Sequence, residues 1–461
     1  GPSVTGPASP ASSMEPPMEA PAWQARPNHG VSSKVATCLA GVQVRLCGGP
    51  KLPPGTWDAA AEPVSSEAQK HVAKLLERGQ LFRSGCLDRT APVALVERAL
   101  SKYAGFKYCV ALDSYSTALF LALKAAGVGG GAGVLGNSLS SSVGSAVRRA
   151  GGRFIPVECT TDLAIDVHDL AHKAETYGAR HLLLSHNSGR VPDLTSVAEV
   201  CQQRGIRMLE DCAESVGVLL DGQHVGHHGV MCCFSAASQT ILGAGDCRGG
   251  FVATHELGMA SRVGTLAGSY QQRQGSASGV IDNARLGGDA EGTEHNVQMS
   301  NVAAAVLLPQ LTAAESRIAA AAKLYQRLQE GFERAVQQDV AIAAGLHIPG
   351  IPVRVRPVLK TFVFIAALGS KASETLVARA RDRGVPLRAL RTRLRTVGQN
   401  GAHVPCRAYS LGIPAGLTER KCKKAGEILA AVLAEAVAEP RAPEDDEIQP
   451  LLPQPAAGGA A

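Results

Sequence analysis

Residues 207–217 read RMLEDCAESVG and residues 221–236 read DGQHVGHHGVMCCFSA. The first stretch opens as a short apolar strand over 207–209 and ends on two carboxylates, Glu210 and Asp211. Open α/β sheets present ligand-contacting groups just beyond the carboxyl ends of their strands, so Asp211 stands where such a sheet does its work. The second stretch passes through turn glycines into a further strand at 231–234 and stops at Ser235. Working outward, further strand-like runs fall at 108–112, 133–135, 153–157, 181–184 and 250–254, rich in the aliphatic residues of strands buried on both faces. Helical spacing separates them at 116–126, 141–150 and 193–204. This alternation predicts an α/β fold with a seven-stranded, mostly parallel sheet between helical layers.

A helical pattern over 65–79 leads into this region, and a long Ala/Leu-rich pattern at 301–335 leads out of it. Beyond it, 361–368, 371–383 and 418–438 read as a smaller C-terminal α/β domain. The expected division is a flexible N-terminal extension over 1–62, a large domain over 63–325, a small domain over 326–438 and a disordered tail over 439–461. The two ends are rich in Pro, Ser and Ala and have little to bury.

The charge balance excludes some classes of function. The chain has 461 residues with 46 Lys and Arg against 40 Asp and Glu, a net charge of +6, and its one tight basic cluster is Lys421, Lys423 and Lys424. That gives no footprint for nucleic acid. No apolar run is long enough to span a bilayer, and the 12 cysteines contain no CxxC pair, as in an intracellular protein with reduced, buried thiols. Cys232 and Cys233 with His224, His227 and His228 are residues of metal-binding type, but adjacent strand residues face opposite ways, so no metal site is expected there.

Several segments, in order, resemble the DegT/StrS family of nucleotide-sugar aminotransferases, which are pyridoxal-phosphate (PLP) enzymes of fold type I. LEDCAESVG (209–217) resembles the family's E-D-A-A strand end, and the stretch to Ala236 its glycine turn and F-S-F. VALDSYSTALFLALKAAGV (110–128) resembles the S-G-T-x-A-L phosphate loop and helix, SHNSGRVPDL (185–194) the H-x-x-G-x-x-x-D segment, and NVQMSNVAAAVLLPQL (296–311) the N-x-R-M segment. The resemblance spans roughly 65–435. It implies that Asp211 is the partner of the pyridinium nitrogen of PLP, that Ser114, Tyr115, Ser116 and Ser235 lie where the phosphate is held, that Ser141 lies where an aromatic residue stacks on the ring, and that Glu214 lies beside the cofactor. Taken without the resemblance, Asp211 would cap the next helix, and the amides and hydroxyls before the helical pattern at 116–126 would suit a phosphate. Gly243, Gly245, Gly249 and Gly250 match the family's turn into the next strand.

The resemblance fails at the residue that carries the chemistry. The family's lysine, which forms the Schiff base and shuttles the proton, belongs five residues after the serine of F-S-F, where this chain has Thr240. No lysine falls between Lys173 and Lys323, a stretch in which 14 lysines in 461 residues would place four or five by chance. A histidine in lysine's place marks one dehydratase branch, and none lies between His228 and His255. Gln298 stands for the Arg of N-x-R-M, and GAGV (131–134) for an acidic turn. The expectation is a catalytically inactive homologue, a pseudoenzyme without covalent PLP, serving as a structural or regulatory subunit in a homodimer or larger assembly. The alternative is an active PLP-dependent aminotransferase on a nucleotide-linked keto sugar, with Lys360, Lys323 or a partner's lysine reaching Asp211. A third reading is a sensor that holds PLP or a nucleotide sugar without a covalent bond.

Overall fold

The computed structural model describes residues 50–57, 62–83, 90–137, 139, 141–237, 240–243, 248–268, 295–337, 346–390, 394–397 and 403–438. The first 49 residues, the tail from 439 and Gly245 lie outside the described residues. Part of the expected N-terminal extension is held in place. Leu52 is buried in the C-terminal core and its amide bonds to the Arg383 carbonyl, while the Trp57 indole donates to the Gly412 carbonyl at 2.9 Å. Two large apolar side chains are enough to anchor a segment that composition alone reads as free.

The chain enters helix α1 (Ser66–Arg78) through the Ser65 cap, then runs α2 (Pro92–Ala104), β1 (Tyr108–Leu112), α3 (Tyr115–Ala125), β2 (Gly133–Gly136), α4 (Ser141–Arg149) and β3 (Arg153–Pro156). It continues through α5 (Val167–Tyr177), β4 (His181–Ser185), α6 (Leu194–Arg204) and β5 (Arg207–Asp211). The short strands β6 (Leu219–Leu220) and β7 (Gln223–His224) precede β8 (Met231–Ser235), β9 (Gly250–Thr254) and α7 (Leu257–Leu266). Each of the seven stretches read as a strand supplies one strand of a single sheet, in the order β1-β9-β8-β5-β4-β2-β3. From β8 to β3 the pairings are parallel; β9 runs antiparallel to both its neighbours, β8 and β1.

Strand alternation sends successive side chains to opposite cores. Leu182, Leu184, Cys232 and Phe234 belong to one, and Leu183, Leu209, Met231 and Cys233 to the other. The second core contains α3, whose residues from Thr117 to Ala125 are buried except Lys124, so this helix is apolar nearly all round.

The long helix expected over 301–335 is two helices, α8 (Asn301–Thr312) and α9 (Ala314–Val336). The break falls at Ala313 (φ −93°, ψ 13°), just after Pro309 within α8 and after Thr312, whose hydroxyl donates back to the Leu308 carbonyl at 3.1 Å. Such back-bonding competes with the helical ladder. Within α9 the packing changes hands: Ile318 and Ala321 join the core of the large sheet, and Leu324, Tyr325, Leu328 and Phe332 join the C-terminal core.

That second core covers an antiparallel sheet of β10 (Leu346–His347), β12 (Thr361–Ala366), β13 (Arg388–Ala389), β14 (Leu394–Val397) and β15 (His403–Gly412). Between β10 and β12, β11 (Val355–Arg356) pairs instead with β6 of the first part, which also pairs with β7. Helices α10 (Ser370–Asp382) and α11 (Glu419–Val437) pack on the C-terminal sheet together with α9. No helix among the described residues is long and apolar enough to cross a membrane. The eight described cysteines are all buried, and none of them forms a disulfide.

Candidate functional site

The parallel pairing of β4 with β5 sets Ser185 beside Asp211 at the carboxyl edge of the sheet. The Ser185 hydroxyl donates to Asp211 Oδ2 at 2.8 Å. The Ala213 amide donates to Oδ1 at 3.2 Å, and the Tyr115 hydroxyl donates to the same oxygen at 2.8 Å. Tyr115 is the first residue of α3, capped by Ser114, whose hydroxyl accepts the Thr117 amide at 3.2 Å. Burial pushes the Asp211 pKa up, opposed by these three donors. Burial also raises the Tyr115 phenol, and the neighbouring Asp211 carboxylate raises it further. The hydroxyl therefore keeps its proton and donates it.

A close backbone approach makes this arrangement possible. An ideal Cβ at Gly250 would sit 2.3 Å from the Ser114 carbonyl oxygen, so β9 must carry glycine where it passes the start of α3. At the neighbouring strand end, the Asn137 side chain bonds both the carbonyl and the amide of Ser185, at 3.0 and 2.8 Å, and locks the β2 edge to the β4 edge.

Asp211 lies on a cavity of about 420 Å³ lined also by Tyr115, Ser141, His186, Glu214 and Arg388. Its far wall comes from the C-terminal sheet through Thr361, Ser410 and Gly412. Ser188, on the rim, has a left-handed backbone (φ 52°), and its amide donates to Glu214 at 2.6 Å. A strained non-glycine backbone beside a cleft is held by what surrounds it, here the Glu214 carboxylate.

Of the residues singled out from the sequence, Tyr115, Ser141, Asp211 and Glu214 meet on this cavity. Ser114 caps α3, Ser116 is exposed on its first turn, and Ser235 is buried at the end of β8 opposite Gly250; none of the three lines it. Thr240 is 6% exposed and its hydroxyl is tied into its own turn, donating to the Ala237 carbonyl at 3.0 Å and accepting the Leu242 amide at 3.2 Å. Gln298 donates to the Gly268 carbonyl at 2.7 Å. Ser185, His186, Ser188 and Arg388 were not singled out beforehand. Only the H-x-x-G segment at a strand end hinted at the first three; nothing in the local pattern marks Arg388.

The lysines proposed as substitutes do not line the cavity either. Lys323 is exposed on α9. Lys360 is 8% exposed, and burial lowers its pKa to about 8, with Arg317 acting the same way and Glu62 opposing. The next residue, Thr361, faces the cavity, so strand alternation turns Lys360 away from it.

A strand-end aspartate, a helix N-terminus beside it and a C-terminal sheet closing the cleft define a protein of PLP-transferase fold type I. The chain belongs to the DegT/DnrJ/EryC1/StrS aminotransferase family, whose profile matches residues 65–386. It is 28% identical over 287 residues to a dTDP-3-amino-3,4,6-trideoxy-alpha-D-glucose transaminase of Micromonospora megalomicea subsp. nigra, covering 61% of this chain and 71% of that one. It is 32% identical over 244 residues to an L-glutamine:2-deoxy-scyllo-inosose aminotransferase of Streptomyces kanamyceticus, covering 50% and 56%. Among solved structures, 3-amino-5-hydroxybenzoic acid synthase superposes with a TM-score of 0.66 at 21% identity, over 84% of this chain and 100% of that one, a likeness of fold. The family is PLP-dependent.

Proposed function

We propose that this chain is a catalytically inactive member of its family, a structural or regulatory subunit that works as a homodimer or within a larger assembly. The observation that carries the reading is that the chain's own side chains take up the cofactor's anchor points. Both oxygens of Asp211 already accept side-chain hydroxyls, from Tyr115 and Ser185. Tyr115 itself stands where the family has a small residue at the phosphate. At the lysine position Thr240 has no amine, and its hydroxyl serves the local backbone. On this reading the residues present do not fit pyridoxal phosphate. The eight described cysteines, all buried and outside any disulfide, support a location inside the cell.

The test is direct. Purified protein incubated with PLP is expected to show no imine absorbance and no borohydride-trapped adduct. With glutamate and a 4-keto-6-deoxy nucleotide sugar it should form no amino sugar. The transaminase names of the relatives favour the second reading, an active PLP-dependent aminotransferase on a nucleotide-linked keto sugar. A trapped imine together with amino-sugar formation would establish that reading and end the first.

A further inference from the structure

We infer that His186, Cys212 and Cys232 form a buried zinc-type metal site on the face of the sheet opposite Asp211, with Glu210 as the carboxylate that orients the histidine. This goes beyond the proposed function and does not depend on it. Cys232 and Cys233 argue against a metal site when taken together, because adjacent strand residues face opposite ways; His186, Cys212 and Cys232 come from three separate stretches that the sheet register brings together. Leu184 pairs with Glu210, and Glu210 with Cys232, so His186 and Cys212, each two residues further on, share the face of Glu210 and Cys232.

One ligand atom from each of His186, Glu210 and Cys212 lies within 4.8 Å of the others. The Cys232 thiol joins Cys212 from the next strand: a Cβ placed at Gly226 would be 3.1 Å from the Cys232 sulfur and 3.2 Å from the Cys212 sulfur, so both thiols converge beneath that glycine. All four side chains are deeply buried, His186 at 1% exposure and the other three at 0%.

Hydrogen bonding separates the roles. Glu210 is saturated: it accepts His186 Nε2 at 2.8 Å, the Gly226 amide at 3.1 Å, and the His228 and Gly229 amides at 2.7 Å each. His186 Nδ1 has no hydrogen-bond partner although it is buried. An orphaned buried imidazole nitrogen, the Cys212 thiol in reach of the ring with the Cys232 thiol beside it, and a carboxylate on the other ring nitrogen make up an arrangement in which histidine binds zinc. A cation at Nδ1 would give that buried nitrogen the partner it lacks, and two thiolates would supply the soft ligands and the charge. Metal uptake releases to solvent every proton that the ligand atoms carry, those of both thiols and any on Nδ1.

The experiment uses the full chain under reducing conditions. Expressed in zinc-replete medium and purified without chelator, it is expected to carry about one zinc per chain by elemental mass spectrometry. Cobalt(II) exchanged into the site should give tetrahedral visible bands and a thiolate-to-metal charge-transfer band. Cys212→Ser and Cys232→Ser should each weaken cobalt binding at least about tenfold. Cys233→Ser, on the opposite face of the same strand, should leave it unchanged. A chain that takes up no stoichiometric zinc or cobalt, or binds cobalt without a thiolate band, overturns the inference. Because that spectrum is read on the unmutated chain, the result stands even if a serine variant does not fold.

Discussion

Replacing Tyr115 by phenylalanine isolates the contact on which the inactive reading rests. Tyr115→Phe keeps the ring, so no cavity opens, and removes only the hydroxyl that donates to Asp211 Oδ1 at 2.8 Å. Asp211 keeps Ser185 on Oδ2, but on Oδ1 it is left with the Ala213 amide at 3.2 Å, a long bond. At 6% exposure, Asp211 meets replacement water only from the cavity side. A hydrogen bond to a charged group contributes about 1.5–3 kcal/mol net, and the surviving amide offsets part of it, so the expected loss is about 2 kcal/mol. Urea unfolding followed by circular dichroism measures it. Asp211→Asn removes the charge while leaving an acceptor, so a double-mutant cycle with Tyr115→Phe should give a coupling of about 1 kcal/mol or more. A Tyr115→Phe loss below about 0.5 kcal/mol, or an additive cycle, would show that the hydroxyl does not hold the carboxylate and would refute the argument.

Other consequences can be checked with single variants. Thr240→Lys alone should form no imine with PLP, whereas Thr240→Lys combined with Tyr115→Gly should form a borohydride-reducible one; imine formation by the single variant would mean that Tyr115 is no obstacle. His224 is buried and neutral, its Nε2 accepting the Gly217 amide at 2.8 Å and its Nδ1 bonding the Val225 carbonyl, and burial lowers its pKa to about 4. Between about pH 4 and 6.5 the unfolded chain therefore binds a proton that the folded chain refuses. Stability is full above that window and falls through it on acidification, by up to about 3 kcal/mol. His224→Gln should flatten that slope, and an unchanged slope would count against the assignment. A Cβ at Gly426 would lie 2.1 Å from the Leu328 carbonyl oxygen where α11 crosses α9, so Gly426→Ala should cost about 3 kcal/mol or more in thermal or urea unfolding. Gly250→Ala should push Ser114 outward and reproduce the Tyr115→Phe loss, because it displaces the start of α3.

The strands of the large sheet were legible because each is a short aliphatic run bounded by turn residues, and burial on both faces leaves that composition little freedom. The C-terminal sheet was less so. Only β12 was read there, while β13 and β15 form strands through pairing with distant partners, as Arg388 does with Ser410. The break at Ala313 was hidden because alanine and leucine continue the helical pattern straight through it. Leu52 and Trp57 were read as part of a free extension because their partners, Arg383 and Gly412, lie more than 300 residues away.

By itself the sequence determined the class of fold, the strand-end position of Asp211 and the absence of a lysine at residue 240. Those are facts of residue type and spacing, and no packing alters them. Tertiary structure decided which groups meet. The Tyr115 hydroxyl reaches Asp211 across 96 residues, and Ser185 reaches it across 26, because α3 begins and β4 ends at the same sheet edge. The same register gathers His186, Glu210, Cys212 and Cys232 on the other face. Contacts of that kind depend on strand order and register, which local periodicity does not encode.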